Sequence, residues 1–135
     1  MIQEIVIHTG KKDEIIDLTD KVRDFVGNAK VSEGLCVVYS RHATAGIVIN
    51  ENADSGFRED IIKALDEIIP GHNGWKHDLI DNNAASHLKA SFIGPSEVIP
   101  IKDSKLMLGT WQGIALAEFD GPRERHIVIQ IIKEK

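Results

Sequence analysis

His77, Asp81 and His87 fall within eleven positions of the stretch WKHDLIDNNAASHLKA, among asparagines and small side chains. Two imidazoles and a carboxylate are donors of the kind that hold zinc-type ions. An Asp or Asn at a helix start also leaves backbone N–H groups free for an anion. On one continuous helix His77 and Asp81 would share a face, being four residues apart. His77 and His87 would then sit about 80° apart, so a single helix holds the trio poorly. A loop ending near Asn82 or Asn83, followed by a short helix carrying His87, converges them more easily. The plain alternative is a surface loop in which Asp81 caps a helix and His87 packs against a neighbour.

Three further clusters carry chemistry. In RHATAGIVINEN, Arg41, His42 and Thr44 stand where one strand ends, and Asn50, Glu51 and Asn52 where the next ends. Ala43, Ala45 and Gly46 would let a ligand approach the backbone closely. His42 offers an imidazole ligand, while Thr44 and Arg41 offer donors to phosphate. The alternative is a polar hairpin turn with a helix-capping Asn. In DGPRER, Arg123 and Arg125 lie two apart and share a face if they sit on a strand, so both guanidiniums could grip one phosphate. The alternative is a solvated face on which they pair with Asp120 or Glu124. In GTWQG, Trp111 and Gln112 offer an aromatic wall and an amide, or simply a core tryptophan.

The elements that must position these residues follow from periodicity. QEIVIH and DEIIDLT read as strands joined around Thr9-Gly10-Lys11-Lys12 as a hairpin. TDKVRDFVGNA reads as a helix capped by Thr19 and stopped at Gly27-Asn28. LCVVYS and AGIVIN are β-branched strands, and EVIPI, KLMLGTWQGIALAEF and RHIVIQII supply three or four more. NADSGFREDIIKALDEII is the strongest helix, with Phe57, Ile61, Leu65 and Ile68 on one face and Pro70 beyond its end. Strands at both ends with helices between favour a single α+β domain with mainly antiparallel sheet over βαβ alternation. HIVIQII is apolar nearly throughout, which suggests a strand covered on both faces.

The 135 residues suffice for one domain over residues 1–135. Hydrophobic residues at 42% and charged residues at 27% are ordinary for a globular chain. A formal charge of −5 argues against nucleic acid or an anionic membrane as partner. No apolar run approaches a bilayer span, and MIQEIVIHTG lacks the pattern of a secretory signal. The single Cys36, in a strand-like run, fits a buried thiol and a cytoplasmic location. No serine or cysteine nucleophile motif and no P-loop is present.

HATAGIVINENAD, HDLIDNNAASHLKASFIGPSEVIPI, LGTWQGI and EFDGPRERHIVIQII, in that order, resemble the successive motifs of the YjbQ family, also called the secondary thiamine-phosphate synthase family. The resemblance runs from about Leu35 to Ile132. It implies an α+β fold of two packed sheets with helices, assembled as a homotrimer with its pocket near a subunit boundary. The family's polar motif residues fall on His42, Thr44, Asn50, Glu51, His77, Asp81, His87, Gln112, Arg123 and Arg125. Its metal- and anion-binding pocket carries over to His42, His77 and His87, with a divalent ion such as Zn²⁺. Three readings follow. The first is a metal-assisted enzyme acting on a small phosphorylated metabolite, with thiamine-phosphate synthesis as the named activity and the arginines neutralising the leaving group. The second is a metal-dependent hydrolase in which Asp81 or Glu51 activates the metal-bound water. The third is a non-catalytic binder of an anionic metabolite.

Overall fold

Burial alternates along the strands, so each presents one face to a common interior. The computed structural model describes residues 1–135. Its elements are β1 (Ile2–His8), β2 (Glu14–Asp17), α1 (Thr19–Ala29), β3 (Gly34–Ser40), β4 (Ala45–Asn50), α2 (Ser55–Ile68), a 3-10 turn (Lys76–Leu79), α3 (Ala84–Ile93), β5 (Ser96–Lys102), β6 (Lys105–Leu106), β7 (Gly113–Glu118) and β8 (Glu124–Lys133). All pairings are antiparallel: one sheet runs β1-β8-β3-β5-β6 and the other β2-β7-β4.

The two sheets face each other across the main core. Ile127, Ile129 and Ile131 of β8 and Cys36 and Val38 of β3 meet Ile114, Leu116 and Ile47 of the smaller sheet, with Val22 and Val26 of α1 closing one side. The opposite face of the smaller sheet carries Ile15, Ala115 and Ala117, and with Phe119 these pack on Leu65 of α2 and Ala90 of α3. β7 is therefore covered on both sides and is buried along its whole length. The fold is α+β, layered as sheet, sheet and helices.

The connections depart from the expected hairpins. β1 pairs with β8 and β2 with β7, so residues 9–13 cross from one sheet to the other. Residues 41–44 make the same crossing between β3 and β4, and residues 119–123 between β7 and β8. Strands adjacent in sequence have better partners elsewhere: β8 offers β1 seven aligned residues. Only β5 and β6 form a hairpin, through Asp103 (φ 52°) and Ser104 (φ 62°), whose left-handed pair suits a tight antiparallel turn.

The helices differ in detail too. Asp17, not Thr19, caps α1, its Oδ1 accepting from the Thr19 N–H at 3.0 Å and hydroxyl at 2.6 Å. Packing of the fully buried Val22 and Val26 carries α1 through Gly27 and Asn28 to Ala29. On α2 the expected stripe is shallow: Leu65 is buried but Ile68 is exposed, because the chain turns at Ile69 and tucks that residue in instead. β8 is covered on one face only within this chain, and Ile132 stays half exposed on the other.

Candidate functional site

The three sheet-crossing links meet at one end of the sandwich, tied together by Glu118. This carboxylate is fully buried between the sheets at the end of β7. It accepts hydrogen bonds from Arg125 Nε at 2.9 Å, the Thr9 hydroxyl at 2.7 Å, and the backbone N–H groups of Phe119 at 3.1 Å and Asp120 at 3.2 Å. Arg125, equally buried, also pairs with Glu118 through Nη2, which donates to Thr44 Oγ1 at 2.7 Å. The Thr9 hydroxyl accepts from the Arg123 N–H at 2.8 Å. Residues 116 positions apart in the chain, Thr9 and Arg125, are thus locked onto one carboxylate. A charge buried this deeply requires such a set of partners.

A polar pocket of about 590 Å³ opens beside this lock. Its lining is His42, Ala43 and Thr44 from the second link, Asp120, Arg123, Glu124 and Arg125 around the third, and Asn83 and His87 from the start of α3. Arg125 spends Nε and Nη2 on Glu118 and Thr44, leaving Nη1 as the edge engaged by neither. Arg123 is anchored to Asp120 through Nη2 at 3.0 Å and to its carbonyl through Nε at 2.7 Å. Asp120 also accepts from Asn83 Nδ2 at 3.0 Å, joining the third link to α3.

His42 Nε2 accepts the His126 backbone N–H at 2.7 Å, so a neutral ring carries its proton on Nδ1. Burial, and then the nearby Arg125 charge, hold His42 below the usual imidazole range. It is a neutral donor at physiological pH.

The loop-then-helix arrangement expected around His87 is what the chain adopts. A 3-10 turn carries His77, Asn82 takes a left-handed φ of 57°, and α3 starts at Ala84. Asp78, rather than Asp81 or Asn83, caps α3, its Oδ1 accepting from Ala84 N–H at 2.9 Å. The small residues of the stretch serve packing: Ala84, Ala85, Ser86 and Ala90 are buried as α3 lies close on β4, where a Cβ on Gly46 would come within 2.6 Å of the Gly94 carbonyl. His77 and His87 meet edge to face with ring centroids 4.6 Å apart. His77 Nε2 is buried without a hydrogen-bond partner, and Asp81 Oδ2 stands 3.7 Å from it on an exposed side chain.

The other expected residues lie elsewhere. Arg41 turns to Glu4 at 3.0 Å; hydrogen bonds from His126 and then Arg41 hold the Glu4 carboxyl below its usual range. Glu51 and Gln112 line a separate cleft with Trp111 and Asp17, and the exposed Asn50 binds the Glu51 N–H at 2.7 Å. This cleft lies at the far end of β4 from Thr44, roughly 20 Å along an extended strand. No three or more His, Cys, Asp or Glu side chains stand together in a group arranged to hold a metal ion.

The sequence profile described as UPF0047 protein YjbQ-like matches residues 3–134. The chain belongs to the YjbQ family. Among its relatives, UPF0047 protein MJ1081 of Methanocaldococcus jannaschii is 44% identical, over 100% of this chain and 96% of that one. UPF0047 protein YugU of Bacillus subtilis is 40% identical, covering 98% and 99%. The crystal structure of a YbjQ-like protein of Sulfolobus solfataricus superposes with a TM-score of 0.96 at 41% identity, covering 99% of this chain and 97% of that one.

Within this YjbQ-family chain, Asn83 as a partner of Asp120, and Glu118 behind the pocket, have roles that periodicity and spacing did not single out, whereas the Arg123–Asp120 pair is the alternative reading of DGPRER. Glu118 had a signal. It is the one charge in the otherwise apolar strand GIALAE, and a charge there must find a partner.

Proposed function

We propose that the polar pocket binds a small phosphorylated metabolite and acts on it. What carries this reading is the convergence of Arg123, Arg125, Thr44, His42 and His87 on one open pocket, from links that only tertiary structure brings together. Guanidinium edges, a hydroxyl and imidazole N–H groups are the donors that phosphate oxygens take. His42, with its Nε2 engaged and its proton on Nδ1, serves there as a hydrogen-bond donor, which leaves proton transfer to His87.

Asp120 and Glu124 line the same pocket and offset the two arginines, so a dianion meets little net positive charge. A divalent ion would remove that mismatch. Of the three expected imidazole ligands, His77 and His87 fit, since His77 Nε2 is buried and unpartnered beside the His87 ring. His42 does not fit as it stands, because its Nε2 already accepts an N–H. Bound Zn²⁺ would supply Lewis-acid polarisation of a phosphoryl oxygen. The family's named activity, joining a pyrimidine methyl diphosphate to a thiazole phosphate with release of pyrophosphate, is the transferase version of this proposal.

The test is calorimetry with pyrophosphate, metal analysis of untagged protein, and product analysis with phosphorylated substrates. Pyrophosphate should bind, and Arg123→Ala should weaken it about tenfold, the loss expected for a charge-assisted hydrogen bond. Metal retained on purification should be lost in His77→Ala and His87→Ala. Undiminished affinity in Arg123→Ala would remove the clamp. Saturable binding with substrate recovered unchanged would make the protein a binder and not an enzyme. Protein free of metal after chelator-free purification would remove the ion.

We also propose a cytoplasmic homotrimer. No helix is long and apolar enough to cross a membrane. The outer face of the larger sheet exposes Ile2, Val6, Leu35, Tyr39, Val98 and Ile132, with no helix above it. An apolar patch of this kind marks a protein interface.

A further inference from the structure

Glu51, Trp111 and Asp17 stand together in the cleft beyond the far end of β4, which has a volume of about 290 Å³. Three carboxylates line it, those of Asp17, Asp20 and Glu51, against the single guanidinium of Arg23. Surface carboxylates are ordinarily just solvated, but here the floor and one wall are built. The floor is Asn52, only 4% exposed. Its Nδ2 donates to Asp17 Oδ1 at 3.1 Å and to the Ile114 carbonyl at 3.0 Å, which fixes the amide and leaves Oδ1 accepting no hydrogen bond. Gly113 gives this oxygen its space, since a Cβ there would stand 1.9 Å from it. Asp17 Oδ1 accepts from Asn52 and from the Thr19 N–H and hydroxyl, so Asp17 Oδ2 is likewise unspent. The wall is Trp111, 74% exposed on a turn that Gln112 Oε1 closes by accepting from the Gly109 N–H at 2.9 Å. An indole held out in this way is no part of the core.

We infer that this cleft is a second ligand site, independent of the polar pocket, and that it takes a small alkylammonium ion. Acceptors that lack donors call for a ligand that only donates, and a primary ammonium carries three N–H donors and no acceptor. Asn52 Oδ1 and Asp17 Oδ2 take its N–H groups, and the carboxylates of Glu51 and Asp20 offset its charge. The face of Trp111 attracts the cation and covers the first methylenes of its stem. A metal ion is disfavoured because an indole wall offers it no donor atom, and an anion because the carboxylates repel it. The class assigned is a protonated aliphatic amine.

Titration of the whole chain with n-butylammonium, tetramethylammonium and 1-butanol at constant ionic strength tests this, by calorimetry and by Trp111 emission in a Trp75→Phe background. Butylammonium should bind saturably and shift the emission of Trp111, whereas butanol, with the same stem and no charge, should do neither. Tetramethylammonium should bind about tenfold more weakly, having no N–H for the two oxygens. By calorimetry, Trp111→Leu should weaken butylammonium about threefold, as the loss of an exposed cation–π contact does, and Glu51→Gln should weaken it by a similar factor. The exposure of Trp111 lets its variant fold, and Glu51→Gln keeps the shape of its side chain. A response that never saturates, an equal response to butanol, or affinity unchanged in both variants would overturn the inference. Equal affinity for tetramethylammonium would overturn the assignment to a primary amine. A particle that shrinks in light scattering when butylammonium is added would place a lysine of another copy in the cleft and overturn the free ligand.

Discussion

Glu118 and Arg125 differ from Asp120 and Arg123 in depth, and so in what their loss costs. The buried pair leaves an uncompensated charge when one partner is removed, so Arg125→Ala should cost about 3–5 kcal/mol of stability. Arg123→Ala, on a pair whose arginine is half exposed, should cost under about 1 kcal/mol. Urea unfolding of both variants checks the contrast. Equal costs would mean that Glu118 relaxes to another partner. His42 adds a pH dependence. Burial and Arg125 lower its folded pKa, so the unfolded chain takes up a proton that the folded chain refuses. Stability is then unaffected above the ordinary imidazole value of 6.5 and falls as pH drops below it, until the folded ring also protonates. Between about pH 7.5 and about pH 5.5 the wild type should lose more stability than His42→Asn does. An identical loss in both would assign the dependence to the other histidines.

At the scale of elements, the site depends on three links passing very close to one another. A Cβ on Gly121 would stand 2.1 Å from the Lys11 carbonyl and 2.7 Å from Thr9 Oγ1, so the first and third links touch backbone to backbone. Gly121→Ala should cost about 1–3 kcal/mol, as overpacking does, and should weaken pyrophosphate binding by displacing Arg123. Gly27→Ala is the control. Gly27 lies inside α1 with open space around its Cβ, and alanine there should stabilise by about 0.5–1 kcal/mol. Thermal melts of the two variants would move in opposite directions. The helix start at Asn83 and Ala84 was legible in sequence because turn chemistry is local, but its cap was not, since Asp78 reaches the Ala84 N–H from six positions upstream. The links were not: DGP and TGKK look like hairpin turns, and nothing local says that β1 pairs with a strand more than a hundred residues away.

At the scale of the molecule, one sheet face is left open. Tyr39, at 44% exposure, and Val98, at 52%, stand on neighbouring strands of that face. If they bury against other copies, Tyr39→Asp with Val98→Asp should convert a trimer to a monomer in light scattering at micromolar concentration while leaving the fold intact. A wild type that is already monomeric under those conditions would remove the assembly. The near-continuous apolar run of β8 belongs to this question, since one chain covers only half of it.

Local chemistry determined much of this protein. Strand alternation, the helical stripe of α2, the turn residues ahead of α3 and the motif order that marks the YjbQ family are all written in neighbouring residues, because period and turn preference act over a few positions. Which strands pair was decided by the tertiary structure, since any apolar strand can pair with many others until burial selects among them. That choice brought His42, Thr44, His87, Arg123 and Arg125 around one pocket and left Glu51 and Gln112 at the far end of β4. It also made Glu118 the centre of the site, because only between two closed sheets does a carboxylate lose its water and have to gather Arg125, Thr9 and two backbone amides in its place.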